Sequence, residues 1–247
     1  DILVFDIIRD KIPIYSLDAA YMLDKETAYI KLNRFSATTT DEFLTSLRKM
    51  KASNSVKGLV LDLRGNGGGF LKQAHEISDH FLSDGSMIVY TEGLKNPKKA
   101  YKATNIGDFE AGKVVVLIDG GSASASEIVA GAIQDWDRGI IIGRRSFGKG
   151  LVQQPYNLTD GSMIRLTTAH YYTPSGRCIQ KPYEGGVESY RNDISHRVET
   201  GELFNKDSIS YDSTLVYYTL INKRKVYGGG GVIPDIFVPL DTSVNYR

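Results

Sequence analysis

Serine, lysine and closely spaced glycines are the residue types in this chain whose pattern implies chemistry. The segment Gly120-Gly-Ser-Ala-Ser-Ala-Ser126-Glu127 sets small residues and three hydroxyls between an apolar strand pattern and a helical one. A serine at a strand-to-helix turn would be exposed as a nucleophile and helped by the helix dipole. The same spacing, Ser124-x-x-Glu127, also makes a capping box, and taken alone the motif favours that structural role over a nucleophile. A serine nucleophile also needs a base. His75 and His80 share a helical stretch, His170 lies in a strand pattern and His196 in a weakly patterned region. None of the four has the context of a catalytic triad, and they do not make an HExxH zinc site. A lysine whose amine is held neutral is the other base open to a serine. Lys149, between Gly148 and Gly150 and next to apolar strand patterns, is the candidate.

Two glycine-bearing segments compete for other functions. Gly143-x-x-x-x-Gly148-Lys149 fits most of a phosphate-binding loop, but Gly150 stands where Ser or Thr must hold magnesium. The alternating residues that follow read as a strand rather than the helix that would aim amides at phosphate, so nucleotide binding is rejected. Gly65-x-Gly67-x-Gly69 is one residue too tight for a dinucleotide fingerprint. Its place between a strand and a helix allows two readings: backbone N–H groups aimed at developing negative charge, or a tight turn with no ligand.

The elements that must position these residues follow from hydrophobic periodicity. Between about residues 28 and 142, short apolar runs alternate with helical patterns, which predicts an α/β fold with a mostly parallel sheet and flanking helices. Strands are predicted at Ala28–Leu32, Gly58–Arg64, Met87–Tyr90, Val114–Asp119 and Gly139–Gly143. Helices are predicted after the Thr39-x-x-Glu42 capping box, after Gly69, and over Ile128–Trp136. Lys95, Lys98, Lys99 and Lys102 around Pro97 read as a solvated loop. Leu151–Leu158 and Met163–Tyr172, separated by Thr-Asp-Gly-Ser, predict a β-ribbon. Residues 174–212 read as a long polar surface excursion and Ser213–Arg224 as a helix, while Val232–Val238, which contains Pro234, reads as an edge strand.

Composition bounds the function classes. The chain has 247 residues with 41% hydrophobic and 24% charged, a folded globular mix. A net charge of +1 lacks the basic field that nucleic-acid binding needs. No apolar run approaches the roughly 20 residues of a membrane helix. Cys178 is the single cysteine, so there is no internal disulfide and no cysteine cluster for a metal. The start at Asp1, without methionine or a leader pattern, reads as a fragment or a mature product.

Leu61-Asp-Leu-Arg-Gly-Asn-Gly-Gly-Gly69, Gly121-Ser-Ala-Ser-Ala-Ser-Glu-Ile128 and Ser146-Phe-Gly-Lys-Gly150-Leu-Val-Gln-Gln154 together resemble the C-terminal processing peptidases, or tail-specific proteases. The three motifs stand in the family's order, and Lys149 follows Ser124 by the spacing of its serine and lysine. The resemblance covers about residues 25–180, with a weaker echo at Gly231–Asp235. It implies a core like the crotonase and Clp protease folds, with a β-ribbon and a C-terminal extension. It implies Ser124 as nucleophile, Lys149 as general base and Gln153 as the residue positioning the lysine amine. Gly67 or Gly68, with Ala125, would supply the oxyanion hole. Asp135 matches a supporting position and equally reads as a helix-end residue.

The resemblance implies no metal or organic cofactor, polypeptide substrates with accessible C-termini, and a bacterial periplasmic or other extracytoplasmic compartment. Homo-oligomerisation stays open. Family members carry a PDZ domain before this core, so residues 1–24 are expected to lead out of such a domain, 25–180 to form the catalytic core and 181–247 to pack on it. Two other functions are weighed. A non-catalytic ligand- or peptide-binding module of the same fold would have no need of Ser124, Lys149 and Gln153 together. An acyl-CoA enzyme of crotonase type would need oxyanion donors but no serine–lysine pair.

Overall fold

The computed structural model describes residues 15–104, 107–183 and 185–242. The strands are β1 (Leu17–Met22), β2 (Thr27–Leu32), β3 (Gly58–Asp62), β4 (Met87–Gly93), β5 (Asn96–Lys102), β6 (Lys113–Ile118), β7 (Ile140–Gly143), β8 (Leu151–Asn157), β9 (Met163–Tyr172), β10 (Val216–Tyr218), β11 (Lys225–Tyr227) and β12 (Ile236–Phe237). The helices are α1 (Thr39–Ser53), α2 (Leu71–Asp79), α3 (Ala125–Asp135), α4 (Gly186–Arg191) and α5 (Asp193–Glu199).

A six-stranded sheet runs β1-β2-β3-β6-β7-β12. All its pairings are parallel except the antiparallel β1–β2 edge. The apolar runs Leu59-Val-Leu and Val114-Val-Val-Leu-Ile fill β3 and β6, as strands covered on both faces require. Below them Phe43, Phe81 and Phe109 meet edge to face, with centroids 5.9 and 6.4 Å apart. A second, antiparallel sheet runs β5-β4-β9-β8. Helix α3 packs on α2, β4 and β7 and is buried along all eleven residues. Its Ala- and Gly-rich sequence permits that close packing: a Cβ on Gly131 would stand 2.7 Å from Thr173 Cγ2.

The expected α/β class, the parallel order and the β8–β9 ribbon are all present, and several local readings are corrected. Residues 87–90 start a strand of the second sheet, not of the parallel one. The lysine cluster is not a loop but edge strand β5, where Lys98 lies 3.8 Å over the Tyr90 ring and Lys99 5.2 Å over the Tyr101 ring. Lysines and Pro97 suit an edge that must not pair further. No helix forms over residues 213–224. The β-branched and aromatic run Val216-Tyr-Tyr instead pairs with Lys225-Val-Tyr across a turn at Lys223, whose φ is 54°.

Glu42 does not cap its own helix; Thr38 is the N-cap, and the Glu42 carboxylate accepts from Ser16 N (2.8 Å) and Leu17 N (2.9 Å) to hold the start of β1. The sheet therefore begins at Leu17, ahead of the boundary expected at residue 25, and residues 1–14 and 243–247 lie outside the described residues. Residues 174–212 are not a loose excursion. They carry α4, α5 and a 3₁₀ turn at Lys206–Ser208, tied down by buried charges. The buried Arg197 guanidinium donates to Ser146 O (2.8 Å) and pairs with Asp193 (2.9 Å), while Arg145 pairs with Glu202 (Nε to Oε1, 2.7 Å). Polar composition hides such packing from a reading based on apolar periodicity.

Candidate active site

Three adjacent parallel strands, β3, β6 and β7, end at the same side of the sheet, and each is followed by one of the three motifs. The carboxyl ends of parallel strands are where α/β sheets build sites, because the loops there lie between sheet and helices. The loop after β3 carries Gly67 and Gly68, the loop after β6 carries Ser124, and the loop after β7 carries Lys149.

The first two loops are sewn together by polar side chains. Asp119 Oδ1 accepts from Gly65 N and Gly121 N, each at 2.9 Å. Buried Asn66 donates through Nδ2 to Leu32 O (2.9 Å), and its backbone carbonyl accepts from Ala123 N (3.0 Å) and Ser126 Oγ (2.8 Å). Asp62, at the end of β3, accepts from Tyr29 (2.6 Å) and Arg64 (2.5 Å). Burial raises the Asp62 carboxyl, but these donors outweigh it and hold it below its usual range. Burial and the same carboxylate push the Tyr29 phenol up to about 12.

The loop after β6 separates its three serines by role. Ser122 and Ser126 are buried with their hydroxyls on the carbonyls of Leu63 and Asn66. Ser124 is half-buried and lines a cleft of about 350 Å³. Its backbone stands at φ 56°, ψ −112°, a conformation rarely adopted by residues other than glycine and found at sharp nucleophile turns. The nucleophile and capping readings are compatible, since Ser124 N–H donates to Glu127 Oε2 at 2.8 Å while Ser124 remains on the cleft wall.

Glu127 does more than cap. Its fully buried carboxylate accepts from Ser124 N, from Lys149 N (2.9 Å), from Gly148 N (2.7 Å) and from the Ser146 hydroxyl. Burial pushes this carboxyl up, against the pull of its four donors. On the other side of the loops, the buried Tyr171 hydroxyl lies within hydrogen-bond distance of Lys149 O (2.6 Å) and Ser124 O (3.0 Å). Burial, with the Glu127 carboxylate adding to it, pushes the Tyr171 phenol well above its ordinary value. The two peptide segments that carry Ser124 and Lys149 are thus braced through their N–H groups by one side chain and through their carbonyls by another.

Around the cleft the structure gathers Gly67, Ser124, Ala125, Lys149 and Gln153. The N–H groups of Gly67 and Ala125 have no hydrogen-bond acceptor among the described residues, whereas Gly68 N–H donates to Asn66 Oδ1 at 2.9 Å. Gly68 instead serves by being small: at φ +93°, a Cβ there would stand 2.8 Å from Ser124 Cβ and 2.6 Å from Ala123 O. Among the described residues no hydrogen bond joins Ser124 Oγ to Lys149 Nζ, or Gln153 to either, although all three side chains line the cleft. Apolar side chains, including Phe35, Phe70, Leu71, Ile128 and Leu151, make up much of the wall.

Asp135 sits apart, ten residues along α3 from Ala125 and about 15 Å away at 1.5 Å per residue. It pairs with buried Arg177 (2.8 Å) and accepts from Ser175 N (2.9 Å), which holds the turn after β9. Asn66, Glu127 as a brace and Tyr171 were not foreseen as site residues. Asn66 and Glu127 lay inside these motifs, but the bonds by which they join distant loops span between 19 and 60 residues of sequence, and spacing carries no sign of such a bond. Among the described residues no group of three or more His, Cys, Asp or Glu is placed to hold a metal ion, and no helix is long and apolar enough to cross a membrane.

The model of peptidase family S41 matches residues 26–189, which take in all three loops and both braces. The chain belongs to peptidase family S41. Among curated relatives, the chain is 43% identical over 178 residues to a carboxy-terminal-processing protease of Bartonella bacilliformis, covering 70% of this chain and 40% of that protein. It is 38% identical over 181 residues to the carboxy-terminal processing protease CtpB of Bacillus subtilis, covering 72% of this chain and 37% of that one. The chain thus spans about two fifths of the length of these relatives. Among solved structures it is similar to the photosystem II D1 C-terminal processing protease, with a TM-score of 0.64 and 26% identity over 94% of this chain and 50% of the other. An S41 protease structure from Bacteroides fragilis shares the fold, with a TM-score of 0.60 at 15% identity over 78% of this chain and 59% of the other.

Proposed function

We propose that this chain is the core of a serine endopeptidase that cleaves polypeptides near their C-termini, with Ser124 as nucleophile and Lys149 as general base. The observation that carries the reading is the bracing of the Ser124 and Lys149 backbones by Glu127 and Tyr171 beside two unengaged N–H groups. Ser124 Oγ attacks the scissile carbonyl carbon while Lys149 Nζ takes its proton. The carbonyl oxygen becomes an oxyanion that accepts from Gly67 N–H and Ala125 N–H. The C–N bond then breaks, Lys149 returns the proton to the leaving nitrogen, and water repeats the sequence on the acyl-enzyme with the same groups. Gln153, beside Lys149 on the cleft wall, orients the amine once substrate narrows the site. The scheme needs no metal or organic cofactor. The C-terminal preference accords with the names of the relatives, while the extracytoplasmic compartment rests on the motif resemblance alone.

Turnover of casein, and of a peptide with an apolar C-terminus, by the chain and by Ser124→Ala and Lys149→Ala tests the proposal. Loss of turnover in both variants supports it. Turnover that persists in either contradicts it, and peptide binding without turnover in all three favours the binding-module reading.

A further inference from the structure

A sheet edge must be covered, broken or charged, because its free N–H and C=O groups otherwise template further pairing. Of the four outer strands of the two large sheets, three carry such a device. β5 has Pro97 and its lysines, β8 has Pro155, and β12 is only two residues long. β1, Leu17-Asp-Ala-Ala-Tyr-Met22, has neither proline nor lysine, and its one charge, Asp18, pairs with Lys31 of β2 at 3.2 Å. The Glu42 carboxylate closes the N–H groups of Ser16 and Leu17, and a register shift lies between Leu17 and Ala19. From Ala19 to Met22 the side of β1 away from β2 makes no hydrogen bond among the described residues. Tyr15, Tyr21 and Leu23 are exposed at or beside this edge.

Helix α1 runs beside the edge and makes a groove with it. Two hollows of about 660 and 430 Å³ follow one another there. Tyr15 and Leu17 share the first with Asp41 and Thr45, and Ala19 and Ala20 share the second with Ser46 and Lys49. Of the five charged residues of α1, three are engaged within the chain: Glu42 on β1, Arg48 with Asp108 (2.7 Å) and Lys51 with Asp108 O (2.6 Å). Asp41 and Lys49 are exposed, line the groove, and make no ion pair or hydrogen bond among the described residues. Asp41, Thr45 and Lys49 follow at four-residue steps and form one ridge of the helix, negative at one end and positive at the other, about 12 Å long.

That ridge is complementary to itself reversed. A two-fold axis at Thr45 sets each Asp41 against the partner's Lys49, and the same axis brings β1 antiparallel to its copy, so that two identical edges can exchange hydrogen bonds. We propose that a second copy of this chain docks in the groove, β1 beside β1 and α1 beside α1, and joins the two six-stranded sheets into one.

Sedimentation velocity at about 50 mM salt, where surface charges are weakly screened, follows association of the chain from about 1 to 100 μM. A monomer–dimer equilibrium is expected in that range. Asp41→Lys alone and Lys49→Asp alone each oppose like charges at both ends of the contact and weaken dimerisation by about tenfold or more. The double variant restores complementarity with the signs exchanged and recovers the wild-type Kd to within about threefold. An equimolar mixture of the two single variants forms a heterodimer with a similar Kd, a rescue that misfolded variants would not give. In a Cys178→Ser background, Thr45→Cys forms an intermolecular disulfide under mild oxidation, whereas Asp41→Cys, about 12 Å from its own copy along the helix, does not.

A chain that stays monomeric throughout the range overturns the proposal, and is the result expected if an extended segment of the same chain or of another protein covers the edge. Dimerisation indifferent to both single variants overturns it too, because another face then joins the copies. Failure of both the mixture and the double variant to restore pairing overturns the assigned register.

Discussion

Replacing Glu127 by glutamine probes the brace between the Ser124 and Lys149 segments. The substitution keeps size and shape, but only one terminal atom remains an acceptor. In the native chain Oε1 receives Ser146 Oγ–H and Gly148 N–H, and Oε2 receives Ser124 N–H and Lys149 N–H. If the amide nitrogen takes the Oε2 position, the N–H groups of Ser124 and Lys149 both face a donor. Hydrogen bonds to a charged acceptor contribute about 1.5–3 kcal/mol each, so two lost bonds cost about 3 kcal/mol at the low end. Removing a fully buried charge offsets part of this, and burial already pushes the Glu127 carboxyl up, so the low end is the appropriate figure. In a domain of this size about 3 kcal/mol lowers Tm by roughly 6–12 °C.

The effect on rate is expected to be larger than the effect on stability. A shift of about 1 Å between reacting groups costs on the order of 100-fold in kcat. The assay pairs calorimetric Tm with kcat on casein at a temperature where circular dichroism shows Glu127→Gln fully folded. A variant with Tm within about 2 °C and kcat within about twofold of wild type would refute the bracing argument.

Other expectations follow from neighbouring contacts. Gly68→Ala places a methyl 2.8 Å from Ser124 Cβ at a φ of +93°, which predicts at least about 2 kcal/mol of destabilisation in urea melts and about 100-fold lower kcat in the folded fraction.

His80 gives a stability signal of opposite origin. Burial lowers its pKa below 6.5, with Asp108 and Asp79 opposing and Arg48 reinforcing the shift. Its ring Nδ1 accepts from Asp108 N (3.3 Å), which requires the neutral form. A depressed folded-state pKa means that the contribution is present above about 6.5 and is lost as pH falls through the folded value. Unfolding free energy measured by urea from pH 7.5 to 5 should therefore decline more in wild type than in His80→Asn, and parallel curves would contradict this.

What could be read in the sequence was whatever local pattern encodes. β3 and β6 were legible because their apolar runs have few alternatives, and the β8–β9 ribbon because Thr-Asp-Gly-Ser separates two alternating stretches. That Ser124, Lys149 and Gly67 line one cleft accords with three small-residue motifs at strand ends and with the resemblance those motifs carry. The helix expected over residues 213–224 does not form because the β-branched and aromatic run Val216-Tyr-Tyr favours the strand that pairs with Lys225-Val-Tyr. Residues 174–212 were misread because Arg197, Asp193 and Glu202 anchor them through buried charges, which composition counts as solvent-facing. The roles of Glu127, Asn66 and Tyr171 arise only when distant loops meet. The choice of Gly67 over Gly68 as a free donor depends on a single bond from Gly68 N–H to Asn66.

The central claim is that Ser124 attacks and becomes acylated. Peptide mapping by mass spectrometry after rapid acid quench, during turnover of a slowly deacylating peptide ester, tests it directly. The account predicts a substrate-derived acyl group on the fragment that contains Ser124, and neither acylation nor turnover in Ser124→Ala. Turnover with the acyl group on another residue, or turnover persisting in Ser124→Ala, would contradict it.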